Sequence, residues 1–241
     1  MAEQQEQKAP VWLPLESNPD VLTKLAHGLG ASPEWSFTDI WGLDDEVLDA
    51  QTPMFTAPVI ALLFLFPSKE DAEARKLPAD ESAAIPVYFL RQVRSLGNAC
   101  GTIGVIHSLA NLAKSGFPIL GSGALQNFID KTKDKTPEER GDLLAFDEEI
   151  RKIHDGFAQQ GQTEAPGEGD RVDFHFISFL NVDNHVWSLD GMRAQPTDRG
   201  ATSQETFLKD CAKIIKSEWL EKNKEEKLFS VIALTQLSED D

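Results

Sequence analysis

A run of ten apolar residues in the first third of the chain places the strongest constraint on its fold. The run extends from Ala57 to Phe66 (APVIALLFLF) and is followed by Pro67 and Ser68. It has the length of a strand and is too short for a helix that spans a bilayer. Because its apolar side chains do not alternate with polar ones, both faces of the strand must be covered. The run therefore predicts a central strand in a sheet with packed layers on both sides.

Capping signals and apolar periodicity predict helices before and after this strand. Asn18 is expected to cap the first helix, and Thr136 is expected to cap a later one that begins with Pro137-Glu138-Glu139. The predicted helices are Pro19–Leu29, Lys69–Arg75 (short and charged), Ser122–Lys131, Pro137–His154 and Thr206–Lys222.

Three further strands are predicted in the second half of the chain. Val172–Leu180 and His185–Leu189 flank the turn residues Asn181–Asn184 and indicate a β-hairpin, and Lys227–Leu234 indicates a closing strand. Val87–Arg91 fits an extended or a helical segment equally well. We find no internal repeat or linker, so residues 1–241 are predicted to form one domain.

Cys100 lies near the start of a helical segment, Leu96 to Ala110 (LGNACGTIGVIHSLA). Asn98 is expected to cap this amphipathic helix, and Gly97 and Gly101 to let the backbone turn sharply around the thiol. Free N–H groups and the helix dipole lower the pKa of a thiol at a helix N-terminus. The position suits a nucleophile, although a free cysteine is more often a small buried apolar residue.

Charge and cysteine content narrow the classes of partner and compartment. The 40 acidic and 23 basic residues give a net charge of −17, which disfavours nucleic acid and favours either a basic partner or simple solubility. Residues 1–10 form a polar tail without the apolar core of a signal peptide. The two cysteines, Cys100 and Cys211, have no metal-like spacing. We expect a cytoplasmic monomer, with nuclear location also open, without cofactor, metal or membrane association.

His175 is the candidate base for the thiol. It lies in a predicted strand between Phe174 and Phe176, where a buried imidazole needs a hydrogen-bond partner. If the hairpin pairs, Asp190 comes near the start of the first strand and can fix the tautomer of His175. Three other interpretations stay open. His175 can be a core histidine bonded to backbone, Asp190 can belong to a simple Asp-Gly turn, and Asp183 can be the orienting acid.

The other four histidines are not expected to act on the thiol. His107 follows Cys100 by seven residues on the same helix and is predicted to pack in the core. His27, His154 and His185 are predicted to lie at the surface, because their neighbours are of mixed polarity or belong to a turn.

Taken together, these segments resemble the ubiquitin carboxyl-terminal hydrolase family of papain-like cysteine peptidases over nearly the whole chain. The similar segments are the family's N-terminal signature, its nucleophile motif, the strand of its general base and the turn of its third triad member. In this chain they read WLPLESNP at 12–19, NACGTIG at 98–104, VDFHFI at 172–177 and LDG at 189–191.

The resemblance implies a triad in which Cys100 is the nucleophile, His175 the general base and then acid, and Asp190 the residue that orients His175. The thiolate would attack the carbonyl of the C-terminal glycine of ubiquitin, and water would then hydrolyse the acyl-thioester. Ubiquitin is therefore the expected partner, with its basic tail in an acidic cleft.

One feature departs from the family pattern, in which a glutamine six residues before the cysteine stabilises the oxyanion. Arg94 occupies that position here, and Gln92 stands eight residues before Cys100. If Arg94 and Ser95 are a two-residue insertion, Gln92 takes the oxyanion role. The alternative is that Gln92 is displaced and the oxyanion hole is weakened.

The resemblance also implies an α+β (α/β) fold of the papain-like class, with a central, mostly antiparallel sheet flanked by helices and a knotted chain path. Residues 156–171 match the family's active-site crossover loop, and their short span implies small adducts or unfolded peptide tails as leaving groups. Two other functions stay open: a ubiquitin-binding protein with impaired catalysis, and a hydrolase for a ubiquitin-like modifier.

Overall fold

The structure is a computed structural model that describes residues 12–68, 85–160, 174–222, 225 and 228–236. Its α-helices are α1 (Pro19–Leu29), α2 (Asp45–Gln51), α3 (Cys100–Lys114), α4 (Ala124–Thr132), α5 (Pro137–Ala145), α6 (Glu148–Ala158) and α7 (Phe207–Ile215). Its strands are β1 (Trp35–Asp39), β2 (Ala61–Pro67), β3 (Phe174–Val182), β4 (His185–Leu189), β5 (Thr197–Ala201) and β6 (Ser230–Gln236). Shorter turns are 3-10 helices at Thr52–Met54 and Arg94–Leu96 and a π-turn at Lys216–Leu220.

The six described strands form one sheet in the order β1-β6-β2-β3-β4-β5, with antiparallel neighbours throughout. Helices cover both of its faces, which confirms the α+β prediction of an antiparallel sheet flanked by helices. The predicted hairpin is β3–β4, and its turn residues Asp183 and Asn184 both have positive φ. This geometry belongs to the tight turns that match the twist of paired strands.

The apolar run of residues 57–66 forms most of β2, the third strand in the sheet order, and its side chains alternate between two cores. Ala61 and Leu63 pack against the layer that contains α1, α3, α4, α5 and α6, whereas Leu62 and Phe64 pack against the layer of α2 and α7. The prediction of cover on both faces is therefore confirmed. The strand begins at Ala61 rather than Ala57. Pro58 precedes it and has no N–H with which to join a ladder.

Helix α3 is buried on all sides, so the prediction of an amphipathic helix was wrong. Every residue from Gly101 to Leu112 is buried, including polar ones, because other parts of the chain cover the polar side. Asn98 does not cap the helix; Ala99 holds that position without a side-chain cap bond. Gly97 does turn the chain with a φ of +48°, but Gly101 is helical and leaves space for Leu15 instead.

Several element boundaries differ from the sequence predictions. The helix predicted over Pro137–His154 is two helices, because the chain turns at Phe146 and Asp147 caps α6 by accepting from the Ile150 N–H. The helix predicted over Thr206–Lys222 is α-helical only over Phe207–Ile215. The next five residues, Lys216–Leu220, form the π-helical turn. Helix α2 and the edge strands β1 and β5 were not predicted from the sequence. The crossover loop, predicted over residues 156–171, begins later than expected, because residues 156–158 belong to α6. Residues 161–171 of that loop and the prediction for Lys69–Arg75 lie outside the described residues.

Within the described part of the chain, no helix combines the length and apolarity that a bilayer span requires. The knotted chain path and the single domain over residues 1–241 stay predictions.

Candidate active site

The thiol of Cys100 lies at the first residue of α3, next to the N-terminal end of β3. The residue is partly exposed, and Cys211, the other free cysteine, is fully buried behind the opposite face of the sheet. Gly101 lets α3 lie close to Leu15 and to Phe176 of β3, because a Cβ at this position would lie 3.1 Å from Leu15 Cβ and 3.3 Å from Phe176 Cδ2. The nucleophile candidate is thus the thiol that reactants can reach.

His175 and Asp190 are joined as the hairpin register requires. The last paired residues of the hairpin are Ser178 and Leu189. The chain that follows β4 therefore carries Asp190 towards the start of β3. His175 Nε2 lies 2.7 Å from Asp190 Oδ1, and the side chains are only 2% and 8% exposed. Because a carboxylate accepts hydrogen bonds, Nε2 is the protonated nitrogen, which leaves Nδ1 for the thiol.

Further contacts fix the Asp190 carboxylate. Its Oδ1 also accepts from the Met192 N–H at 2.9 Å, and its Oδ2 lies 3.6 Å from Arg193 Nε. The competing acid, Asp183, is exposed in the hairpin turn with a φ of 54°. The structure therefore brings Asp190, and not Asp183, to His175.

The pKa values of the thiol and the imidazole move in opposite directions. Burial alone would raise the pKa of Cys100, but its hydrogen bond to His175, the charge of His175 and the N–H groups of Phe176 and Gly101 lower it overall. Burial alone would lower the pKa of His175, but the charge and hydrogen bond of Asp190, together with Cys100, raise it to about 9. Both shifts favour a thiolate–imidazolium pair at neutral pH. In contrast, burial raises the pKa of the Cys211 thiol well above its ordinary value.

Gln92 lies beside this triad and is bonded to the same turn that carries Asp190. Its backbone N–H donates to the Gly191 carbonyl at 2.8 Å. A Cβ on Gly191 would lie 3.3 Å from both N and Cβ of Gln92, so the glycine permits this close contact. The side-chain Nε2 donates to the Gly97 carbonyl at 2.6 Å, which leaves its second N–H for another acceptor.

The two residues that lengthen the spacing from Gln92 to Cys100 are folded into a local turn. Arg94–Leu96 form a 3-10 turn, with Arg94 exposed and Leu96 buried. Gly97 follows with its positive φ and directs its carbonyl back to Gln92. The turn accommodates the longer spacing from Gln92 to Cys100, and the insertion of Arg94 and Ser95 stays a prediction.

The remaining histidines have structural partners, and one of them corrects a prediction. His107 is fully buried, as predicted, and burial lowers its pKa to about 3. His154 was predicted at the surface, but it is fully buried under the Trp12 ring, with its Nδ1 2.7 Å from Thr102 Oγ1. His27 is half-buried, whereas the His185 side chain is 46% exposed beside Asp198.

No group of three or more His, Cys, Asp or Glu residues that could hold a metal ion occurs among the described residues. The groups that the described site offers are an activated thiol, a proton carrier held by a carboxylate, and an amide N–H. Sequence reasoning missed Gly191, which joins Gln92 to the Asp190 turn. The signal for it was the Asp-Gly pair, which we considered as a simple turn, an alternative to Asp190 as the orienting acid, without a role for the glycine.

Comparison with known proteins shows the family to which the sequence is similar. Residues 12–219 match the sequence model of the family described as "Ubiquitin carboxyl-terminal hydrolase, family 1". The chain is 40% identical over 231 residues to a ubiquitin carboxyl-terminal hydrolase of Drosophila melanogaster, covering 93% of this chain and 97% of that protein. It is 39% identical over 227 residues to the human ubiquitin carboxyl-terminal hydrolase isozyme L1, covering 92% and 96%.

A solved structure has the same fold. The catalytic domain of Trichinella spiralis UCH37, bound to ubiquitin vinyl methyl ester, superposes with a TM-score of 0.73 at 27% sequence identity. The match covers 96% of this chain and 99% of that domain, so it extends over both layers of the sheet.

Proposed function

Because the chain belongs to the ubiquitin carboxyl-terminal hydrolase family, we propose that it is a deubiquitinating cysteine hydrolase that cleaves the bond after the C-terminal glycine of ubiquitin. The observation that carries this function is the hydrogen-bonded line from Cys100 through His175 to Asp190. It joins a reachable thiol to a proton carrier whose pKa is raised to about 9. These are the parts that acyl transfer to a thiol needs.

In the acylation step, the Cys100 thiolate attacks the glycine carbonyl carbon and forms a C–S bond. The negative charge moves to the carbonyl oxygen, where the second N–H of Gln92 Nε2 and the backbone N–H groups of the first turn of α3 stabilise it. When the oxyanion collapses, the bond to the leaving amine breaks. His175 Nδ1–H supplies the proton that this amine takes up.

In the second step, His175 acts as a base because it has given up its proton. It removes a proton from water, the hydroxide attacks the thioester carbonyl, and the C–S bond breaks to regenerate the thiolate. Asp190 stays ionised throughout and keeps Nε2 protonated, so that Nδ1 faces the reacting atoms in both steps.

The leaving group is proposed to be a small adduct or an unfolded peptide tail, since only residues 159–173 separate α6 from β3, which is few for a loop that straddles a cleft. The basic tail of ubiquitin is proposed to enter an acidic cleft, which the net charge of −17 supports. We also propose a monomer in the cytoplasm, with nuclear location open. The two free cysteines suit a reducing compartment.

Ubiquitin with a C-terminal aminocoumarin amide tests the hydrolase function directly. We expect the purified full chain to release the fluorophore, and Cys100→Ser to abolish release while Cys211→Ser leaves it unchanged. Binding of ubiquitin without release would instead favour the ubiquitin-binding alternative. Faster release from the same amide of a ubiquitin-like modifier would contradict ubiquitin as the substrate.

Ubiquitin amides of graded leaving-group size test the proposed leaving-group limit. A single amino acid and an unfolded peptide should be released at similar rates, and a stably folded domain at least about a hundredfold more slowly, since it must unfold to pass a short loop. Equal rates for the unfolded peptide and the folded domain would contradict the limit and leave the hydrolase function intact.

A further inference from the structure

Gln92 belongs to an extended segment, residues 87–92, that has no strand of the described sheet beside it. Residues 87–90 of this segment are buried. Buried backbone N–H and C=O groups are costly when unpaired, so something other than a β-ladder must bind them.

Two side chains of α3 take the place of a neighbouring strand. Asn111 bonds both backbone groups of Tyr88. Its Oδ1 accepts from the Tyr88 N–H at 2.5 Å, and its Nδ2 donates to the Tyr88 carbonyl at 2.8 Å. One turn earlier, His107 Nε2 lies 3.2 Å from both the N and the O of Leu90. The helix thus bonds alternate residues of the segment, as a strand would.

Helix α5 holds the segment from the other side. Arg140 donates from Nη1 to the Phe89 carbonyl at 2.8 Å and places its guanidinium 4.4 Å from the centre of the Tyr88 ring. The Arg91 N–H donates to the Pro137 carbonyl at 2.9 Å. Together with the bond from Gln92 to Gly191, these contacts give each residue from Tyr88 to Gln92 a backbone partner outside the segment.

We propose that His107, Asn111 and Arg140 are positioning residues for Gln92: they fix the register of the segment that presents its amide to the oxyanion. This inference rests on the proposed function and extends it to three residues that do not touch the reacting atoms. A slip of one residue along the segment would reverse the side on which Gln92 points, because side chains alternate in an extended chain.

The same contacts predict a specific kinetic signature. The segment does not supply the groups that lower the pKa of Cys100, which are His175 and the N–H groups of Phe176 and Gly101. Loosening it should therefore lower kcat and leave both KM and the pH dependence of Cys100 alkylation unchanged. A general loss of structure would change all of them.

A double-mutant cycle with Gln92→Ala provides the test, with the ubiquitin aminocoumarin amide as substrate. In the native background we expect Asn111→Leu and His107→Leu each to lower kcat by about tenfold, part of the 10²–10³ typical for loss of one oxyanion donor. In the Gln92→Ala background we expect either change to lower kcat by less than about twofold, because the group it positions is gone.

His107→Gln is the conservative rescue, since an amide can both donate to and accept from Leu90, and it should keep kcat within about twofold. Ser108→Ala is the matched control on the same buried helix, because the Ser108 hydroxyl donates to the Gly104 carbonyl of α3 and to no other described residue. Thermal unfolding identifies any variant that fails to fold. If Asn111→Leu fails, the His107→Leu and His107→Gln pair still decides.

Equal losses of kcat in the native and Gln92→Ala backgrounds would overturn the inference and leave the hydrolase function standing. A Gln92→Ala enzyme with native kcat would do the same, since there would be no oxyanion group to position. Absence of turnover in the folded wild-type chain would overturn the proposed function and this inference with it.

Discussion

The β3–β4 hairpin and the segment that carries Gln92 reach the same site by different means. In the hairpin, strand register directs Asp190 towards His175, and contacts with Met192 and Arg193 then fix its carboxylate 2.7 Å from the imidazole. In the segment, no described strand pairs with residues 87–92, and side chains of α3 and α5 bind its backbone instead. The two parts meet at one bond, from the Gln92 N–H to the Gly191 carbonyl.

The difference shows which parts of such a site tolerate change. A ladder uses the backbone, which every residue has, so most surface substitutions leave its register intact. A segment whose backbone is bonded by side chains depends on those particular residues, and replacing one of them leaves a buried N–H or C=O unpaired. We therefore expect the hairpin to fail only at its reacting groups and the segment to fail also at residues remote from the chemistry.

The largest effect is expected from Asp190→Asn, which changes the hairpin only at the contact with His175. An amide there no longer fixes the protonated Nε2, so kcat should fall by about 10⁴, the loss typical when a triad aspartate becomes asparagine. Asp183→Asn in the exposed turn is the control, because asparagine tolerates positive φ, and its kcat should stay within about twofold. If both variants kept native kcat, hairpin register would not serve catalysis.

The next effect is expected from the group that the segment presents. Gln92→Ala should lower kcat by about 10² with KM unchanged, because the amide acts on charge that develops in the transition state. Gln92→Glu should lose more, since it keeps the shape but replaces the N–H donor with a negative charge beside the oxyanion. If the glutamate variant were more active than the alanine variant, Gln92 would not be an oxyanion donor.

Gly141 of α5 lies against the segment that carries Gln92 and allows a test of that segment alone. A Cβ at Gly141 would overlap with the Arg91 carbonyl oxygen and lie 3.0 Å from Val93 Cγ1, so Gly141→Ala must displace the segment. We expect about a tenfold lower kcat, comparable to a partial loss of the oxyanion donor.

Gly156→Ala in α6 is the matched control for Gly141→Ala, since a Cβ there meets nothing within 4 Å. It should leave kcat unchanged and raise the free energy of unfolding by up to about 1 kcal/mol, the helix preference for alanine over glycine. Native kcat in Gly141→Ala would contradict the account of the segment.

The smallest effect is expected from pH. Because the pKa of His175 is raised to about 9, hydrolysis should be constant near neutrality and fall about fourfold by pH 9.5 as the imidazolium loses its proton. The folded-state pKa lies above the unfolded value of 6.5, so this contact stabilises the fold fully below pH 6.5. That stabilisation is lost as the pH rises through 9. A pH–rate profile with its alkaline limb near 6.5 would contradict the coupling of His175 to Asp190.

The same contrast explains what the sequence could predict. The core strand β2 and the hairpin were predictable because an apolar run and a turn of Asn and Asp residues are local signals. The edge strand β1 was missed, since WSFTD is short and half-buried and pairs with residues 232–236, far along the chain. Likewise, nothing near His154 indicates the Trp12 ring that buries it.

The candidate site divides along the same line. Cys100, His175 and Asp190 stand in recognisable segments, and the resemblance named Gln92 despite its spacing. The residues that hold Gln92 were not predictable as such, because His107 and Asn111 look like two polar interruptions of an apolar helix. Their partners, Leu90 and Tyr88, come next to them through the packing of the segment against α3. The spacing of apolar residues along the sequence gives no information on this packing.

In the free chain, the hydrogen bond and the charge of His175 lower the pKa of the Cys100 thiol, and the proposed reaction depends on this activation. The most direct test is the rate of iodoacetamide labelling of each cysteine between pH 5 and 10, resolved by peptide mass spectrometry. We predict that Cys100 reacts far faster than Cys211 at pH 7, with a midpoint below the ordinary thiol value of 9.0. Equal labelling of the two cysteines, or a Cys100 midpoint at or above 9.0, would contradict activation of the thiol by His175.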